Sequence, residues 1–360
     1  MNKRCFLLIS ILIFVLTGCK TPASNVPSES GNSAEINPVA HIAVLSAPKM
    51  VDIYTIENTF ESFEKNYPVG ERLDRNSVFG DSELQKEAEQ LRTGLDMTVP
   101  THVLTYAYKL LPLIKDSGYV DAPEGEWMVR FLCYYEDGVW EITYHEIGML
   151  PENYESMTAD DRDKAYSGWY GGGTTVSISS SDGHLISLEG PLHRIEGKET
   201  LPPKEETTIP SLKWQGTWFA TIKDYTMAEY FTGWTGEQKQ RYADAPMEVT
   251  ARFGDNTLQQ AAAEASAGLW LDTIEGMSEY AVQLGEILCE TDYNMCANGF
   301  TVNSITRYTD GAWEICLKFA DPASGDDDKT QRTYVYVSEA DGHIICMLDS
   351  EDQLVTAENS

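Results

Sequence analysis

Asp310-Gly311-Ala312-Trp313-Glu314-Ile315, followed by Ser338-Glu339-Ala340-Asp341-Gly342-His343-Ile344-Ile345, restates an earlier passage. That passage is Asp137-Gly138-Val139-Trp140-Glu141-Ile142, followed by Ser179-Ser180-Ser181-Asp182-Gly183-His184-Leu185-Ile186. An Asp-Gly pair between alternating segments signals a hairpin, because a tight primed turn needs positive φ and glycine adopts it without penalty. In the later copy Trp313, Ile315, Leu317 and Phe319 fall on one side and Glu314, Cys316 and Lys318 on the other, the period of a half-buried strand. Tyr334 to Val337 and Ile344 to Leu348 follow as strands, and the earlier copy places its own near 126–135, 139–146, 174–180 and 184–189.

The repeat continues upstream. Phe79-Gly80-Asp81, Leu84-Gln85 and Ala88 match Phe253-Gly254-Asp255, Leu258-Gln259 and Ala262 at a constant offset of 174. Tyr106-Ala107 and Leu110 keep that offset with Tyr280-Ala281 and Leu284. Asp255 offers an N-cap before an Ala-rich helix to about Leu271, and a second helix over about 273–290 puts Met277, Tyr280, Ala281, Leu284 and Leu288 on one face. Pro112 predicts an end or a kink in the matching helix of the earlier copy. A fainter echo, Tyr54-Thr55-Ile56 with Phe60 and Phe63 against Tyr225-Thr226-Met227 with Phe231 and Trp234, predicts a further helix at the start of each unit. The expected fold class is α+β, with two repeated units, each of helices packed on one face of a four-stranded antiparallel sheet. The units span 42–190 and 212–350, joined by a linker over 191–211 that contains Pro202-Pro203. Positions shared by both copies report the fold, and positions present in one copy only are where function is to be sought.

The second half of each unit resembles the PepSY family. The residues that carry the resemblance are Tyr280-Ala281 on the helix, the strand opened by Asp310-Gly311, Tyr334-Val335-Tyr336-Val337, and Asp341-Gly342-His343-Ile344-Ile345, with the earlier copy matching from Tyr106 through Leu188. The resemblance implies a noncatalytic extracytoplasmic module that binds or restrains peptidases and other envelope proteins. The additional N-terminal part of each unit and the long insertion of the earlier copy depart from that pattern, and cystatin-like and NTF2-like folds present a similar outline.

Lys3-Arg4 and an apolar run from Phe6 to Leu16, too short to span a membrane, form the pattern of a signal peptide over residues 1–18. Leu16-Thr17-Gly18-Cys19 resembles the lipobox of bacterial lipoproteins, which implies lipidation of Cys19 and cleavage before it. The expectation is a chain lipid-anchored to the cell membrane on its extracytoplasmic side, with a flexible stalk over 19–41 and a short tail over 351–360. The formal charge of −31, or −33 once Lys3 and Arg4 leave with the signal, argues against a nucleic-acid partner and favours a peptide or protein partner with a basic surface. Cys289 and Cys296 are close enough to pair around a helix end. Cys316 and Cys346 fall on strands either side of a third, roughly 10 Å apart and beyond disulfide reach.

No helical metal-ligand pair, nucleophile elbow, phosphate-cradling glycine loop or paired Cys-x-x-Cys knuckle occurs, so no metal, cofactor or catalytic residue is expected. His184 and His343 read as hairpin framing, and Glu141 and Glu314 as solvated strand carboxylates. Asp160, Asp161 and Asp163, and Asp321, Asp326, Asp327 and Asp328, form acidic loops without the alternating ligands of a helix-loop-helix calcium site. Between its second and third strands the earlier copy carries a loop, about Gly148 to Gly173, that is longer by 14 residues. It contains Tyr166, Trp169 and Tyr170, aromatics that can anchor a ligand, and they are the expected binding residues. The expected function is that of a noncatalytic extracytoplasmic lipoprotein that binds or regulates a peptide, a peptidase or another envelope protein. The alternatives are a hydrolase acting on cell-wall or peptide substrates through acidic residues, and a calcium-stabilised structural module.

Overall fold

Two short strands that the repeat does not announce join the halves of the molecule. The computed structural model describes residues 50–64, 73–120, 127–146, 156–159, 161–162, 173–190, 194–206, 208–214, 219–233, 245–246, 248–291, 299–319, 331–349 and 353–355. The first half runs β1 (Val51–Ile56), α1 (Phe60–Glu64), α2 (Ser82–Leu91), α3 (Pro100–Asp116), β2 (Trp127–Tyr135), β3 (Val139–Glu146), β4 (Gly173–Ser179), β5 (Leu185–Glu189) and β6 (Arg194–Ile195). The second runs β7 (Phe219–Ile222), α4 (Met227–Gly233), α5 (Asn256–Ser266), α6 (Ile274–Glu290), β8 (Phe300–Arg307), β9 (Ala312–Phe319), β10 (Gln331–Ser338) and β11 (Ile344–Leu348).

All eleven strands belong to one mixed sheet in the order β11-β10-β9-β8-β7-β1-β2-β3-β4-β5-β6. This corrects the expected pair of units on separate four-stranded antiparallel sheets. β1 runs parallel to β2, and β7 parallel to β8, each pair joined by a helical crossover, while β1 and β7 lie antiparallel with Ile53 opposite Ala220. The inner edge of each meander, which a separate unit would leave bare, is therefore covered. β1 escapes a reading by alternation because Val51, Asp52 and Ile53 are all buried, as befits a central strand enclosed on both faces.

The helices also cover both faces. On one, α2, α3, α5 and α6 enclose a core that includes the fully buried Trp140 and Trp313. On the other, Phe60 of α1 packs with Cys133, Tyr135 and Ile186, and Met227 and Phe231 of α4 pack with Tyr308, Tyr336 and Cys346. Glu314 consequently departs from its expected solvated state. It is 9% exposed and accepts hydrogen bonds from the hydroxyls of Tyr308 (3.1 Å) and Tyr336 (2.6 Å). Its counterpart Glu141, half-buried, accepts from Tyr135 at 3.2 Å.

The repeated Asp-Gly pairs explain how α1 and α4 are placed. Asp137 accepts from the backbone amides of Phe60 (2.9 Å) and Glu61 (3.2 Å), and Asp310 accepts from the amide of Met227 (3.3 and 3.2 Å), so each hairpin carboxylate caps a helix across the chain. Phe60 thus corresponds to Met227, an offset of 167, four residues from the register of the aromatic echo. Aromatics recurring one helical turn apart allow that slip. α3 continues through Pro112 to Asp116, and α5 ends at Ser266, short of the expected Leu271.

Two buried polar contacts cross the seam. Asp52 pairs with Nη1 of Arg130 and accepts from Thr221 Oγ1 at 2.9 Å. On the helical face, Glu275 accepts from the Thr101 amide and hydroxyl, both at 2.8 Å, supplying the cap that Val99 cannot give α3.

Candidate functional site

The Asp-Gly-His motifs hold the same place in both halves. In the first half His184 Nδ1 lies 2.5 Å from Asp182 Oδ1 while its Nε2 lies 3.1 Å from the carbonyl of Ser77. In the second, His343 makes the same contacts with Asp341 and, at 3.1 Å, with the carbonyl of Ala251. Each ring therefore has a protein oxygen beside both of its nitrogens, which ties the turn to the segment that precedes a helix. Burial opposes ionisation of Asp182, but the hydrogen bonds from His184 and Lys204 outweigh it and hold its carboxyl well below the usual range. Asp341 is lowered likewise, burial being outweighed by the side chain and amide of His343 and by Arg252.

Other shared residues complete a latch. The Gln85 amide donates to the carbonyls of Phe79 (3.3 Å) and Leu185 (2.6 Å) and accepts from the Leu185 amide (3.0 Å). Gln259 repeats this with Phe253 (3.0 Å) and Ile344 (2.7 and 2.9 Å). The hydroxyls of Tyr106 and Tyr280 donate to the carbonyls of Gly183 and Gly342 at 3.1 and 2.5 Å. What both halves share at this place ties the last hairpin to the segment before a helix.

In the first half the latch also forms one wall of a groove. The chain beyond β6, expected as a linker, is docked along the first half. Glu199 donates its amide to Gly80 (2.6 Å), Lys204 to Asn76 (2.8 Å) and Lys213 to Thr98 (2.8 Å), and Trp214 is buried. Gly80 permits the approach, since a Cβ there would lie 1.6 Å from the carbonyl oxygen of Glu199. Between this strap and α2 lies a cavity of about 460 Å³ walled by Val78, Ser82, Lys86, Glu89, Arg92, the Asp182-Gly183-His184 turn and Leu201 to Lys204. At the positions of Lys86, Glu89 and Arg92 the second half carries Gln260, Ala263 and Ser266. Arg92 lies across Gly183, where a Cβ would meet its Cδ at 2.4 Å, and its Nε is buried without a hydrogen-bond partner among the described residues. Lys204 bonds Asp182 at 2.7 Å.

The expected site residues Tyr166, Trp169 and Tyr170, the lipidation residue Cys19, and all of the acidic-loop aspartates except Asp161 lie outside the described residues. Asp161 accepts from the Thr158 hydroxyl at 2.8 Å. Among the described residues no three His, Cys, Asp or Glu side chains are placed to hold a metal ion, and no helix is long and apolar enough to cross a membrane. Cys289 is disulfide-bonded. Cys133, Cys316 and Cys346 are free and buried. Burial pushes the Cys316 thiol up to about 11 and that of Cys346 up to about 12, so neither presents a thiolate nucleophile near neutrality. The groove residues escaped the sequence reading because the aligned copies do not single them out: between the kept Gln85 and the end of α2, Lys86, Glu89 and Arg92 differ from their counterparts, but so do Glu87, Gln90 and Leu91. Compared with protein-family models, curated proteins and solved structures, the chain matches none.

Proposed function

We propose that this chain is a noncatalytic binding protein, tethered through Cys19 to the extracytoplasmic face of a membrane, that holds a segment of a peptide or protein partner in the groove of its first half. The observation that carries the proposal is the division of residues around the groove. Gln85, Asp182, Gly183 and His184 recur in the second half as Gln259, Asp341, Gly342 and His343, whereas Lys86, Glu89 and Arg92 are replaced by Gln260, Ala263 and Ser266. Residues that the second half omits while making the same latch are not required by the latch. The groove volume of about 460 Å³ falls within the ~300–1,000 Å³ typical of ligand sites. The PepSY resemblance, which implies binding or restraint of envelope proteins, points the same way.

The test is recovery of partners from an envelope extract on the immobilised chain, beside a Lys86→Glu, Arg92→Glu double variant. A partner retained by the unaltered chain and lost with the double variant is the expected result. Identical recovery on both would refute the groove as the binding site.

A further inference from the structure

We infer that the groove takes the C-terminal carboxylate of a peptide whose last residues are apolar, with Arg92 as its charged partner. This rests on the groove being the binding site. Charge decides the class of ligand. Lys204 and Asp182 neutralise each other at 2.7 Å, and the other oxygen of Asp182 is held by His184. Lys86, Arg92 and Glu89 remain, a net charge of one on a chain whose formal charge is −31. One positive charge matches one carboxylate, whereas a phosphate near neutrality would bring close to two negative charges beside Glu89.

Geometry favours the same group. Arg92 borders the groove with Nε buried and unpartnered among the described residues, and a guanidinium offers a planar fork that binds a carboxylate through two parallel bonds. Its place in the second half is filled by Ser266, whose hydroxyl donates to the Asp341 carbonyl at 3.0 Å, so the fold does not call for a cation there. Val78, Leu201, Pro202 and Pro203 supply an apolar wall for the side chains that precede the carboxylate. A chain end satisfies both demands with few atoms.

The experiment is fluorescence anisotropy of the purified chain with two fluorescein-labelled peptide pools, both randomised over apolar residues at the last positions. One pool ends in a free carboxylate and the other in an amide. The acid pool should bind about tenfold more tightly, and Arg92→Gln should weaken it about tenfold while leaving the amide pool unchanged, as loss of a charge-assisted bond requires. Lys86→Gln, at an exposed position, guards against a folding defect in the first variant and should give a smaller loss of the same kind. Equal affinity for both pools, indifference to Arg92→Gln, or displacement by inorganic phosphate would overturn the carboxylate assignment. Glu89→Trp, which fills the groove, separates the two ideas: if neither pool responds to it, binding lies elsewhere and the groove reading fails as well.

Discussion

Replacing Gln85 with alanine removes three hydrogen bonds at once: those to the carbonyls of Phe79 (3.3 Å) and Leu185 (2.6 Å) and that from the amide of Leu185 (3.0 Å). At about 1 kcal/mol net for each bond the expected loss is about 3 kcal/mol. Gln259→Ala removes the equivalent three and should cost the same. At about 2 °C per kcal/mol, each variant should melt about 6 °C below the parent. The informative quantity is the number of transitions. Because β1 and β7 join the halves within a single sheet, and Asp52, Arg130 and Thr221 are bonded across that seam, scanning calorimetry should show one transition lowered by either change. The double variant should lose the sum, since the two glutamines share no partner. Two transitions, one moved only by Gln85→Ala and the other only by Gln259→Ala, would refute the claim that the sheet makes the halves one cooperative body. A loss under about 0.5 kcal/mol from either substitution would refute the latch.

Asp52→Ala should cost about 3–5 kcal/mol in urea unfolding, because it removes the buried carboxylate that pairs with Arg130 and accepts from Thr221 across the seam; a loss below about 1 kcal/mol would show that the seam does not depend on Asp52. Trp140→Phe should cost about 1 kcal/mol more than Trp313→Phe, since Trp140 Nε1 donates to the Met97 carbonyl at 2.9 Å while Trp313 Nε1 is buried without a hydrogen-bond partner among the described residues; equal losses would contradict that asymmetry. Two carboxylate sites should respond to pH with opposite signs. Asp182 and Asp341 are lowered from their ordinary 3.8 in the folded chain, so their contribution is present above that value and is lost as pH falls below it, a decline that Asp182→Asn should lessen in acid melts. Burial raises Glu275 above its ordinary 4.5 despite its bonds from Thr101, so its contribution is full below 4.5 and declines as pH rises through the folded value; Glu275→Gln should flatten the profile in that interval, and an unchanged slope would refute the assignment.

The meanders were legible because both signals they rest on are local. Trp313, Ile315 and Leu317 alternate with Glu314 and Cys316, and Asp-Gly pairs mark the turns. Asp255 was equally readable as an N-cap, and its carboxylate accepts from the amides of Thr257 and Leu258. β1 and β7 were not legible. Strands of six and four residues enclosed on both faces show no alternation, and their partners lie far along the chain, as Asp52 with Phe131 and Ala220 with Ile305. The burial of Glu314 was hidden for a related reason: period two correctly sends it away from Trp313, but whether that face meets water depends on α4, which only the fold brings there. The groove was half-legible. Lys86 and Arg92 differ between the aligned copies, but so do Glu87 and Leu91, and only the fold shows which of these face the groove; Lys204 sits in a stretch whose prolines and charges read as a tether, and the backbone bond from Lys204 to Asn76 reveals that it is laid against the first half.

The antiparallel meeting of β1 and β7 gives the sheet a two-fold character. Ile53 and Ala220 face each other across an axis about which the sheet reads alike in both directions, with a parallel neighbour, three antiparallel strands and a short final pairing on either side. A single half severed from the other would carry β1 as a bare edge, and a second identical half would satisfy it through the same antiparallel pairing. The present chain thus holds within one molecule the pairing that a two-fold dimer of such halves would make. Because the two halves are parts of one chain they need not be identical, and Lys86 and Arg92 stand in one where the other has Gln260 and Ser266 beside the same latch.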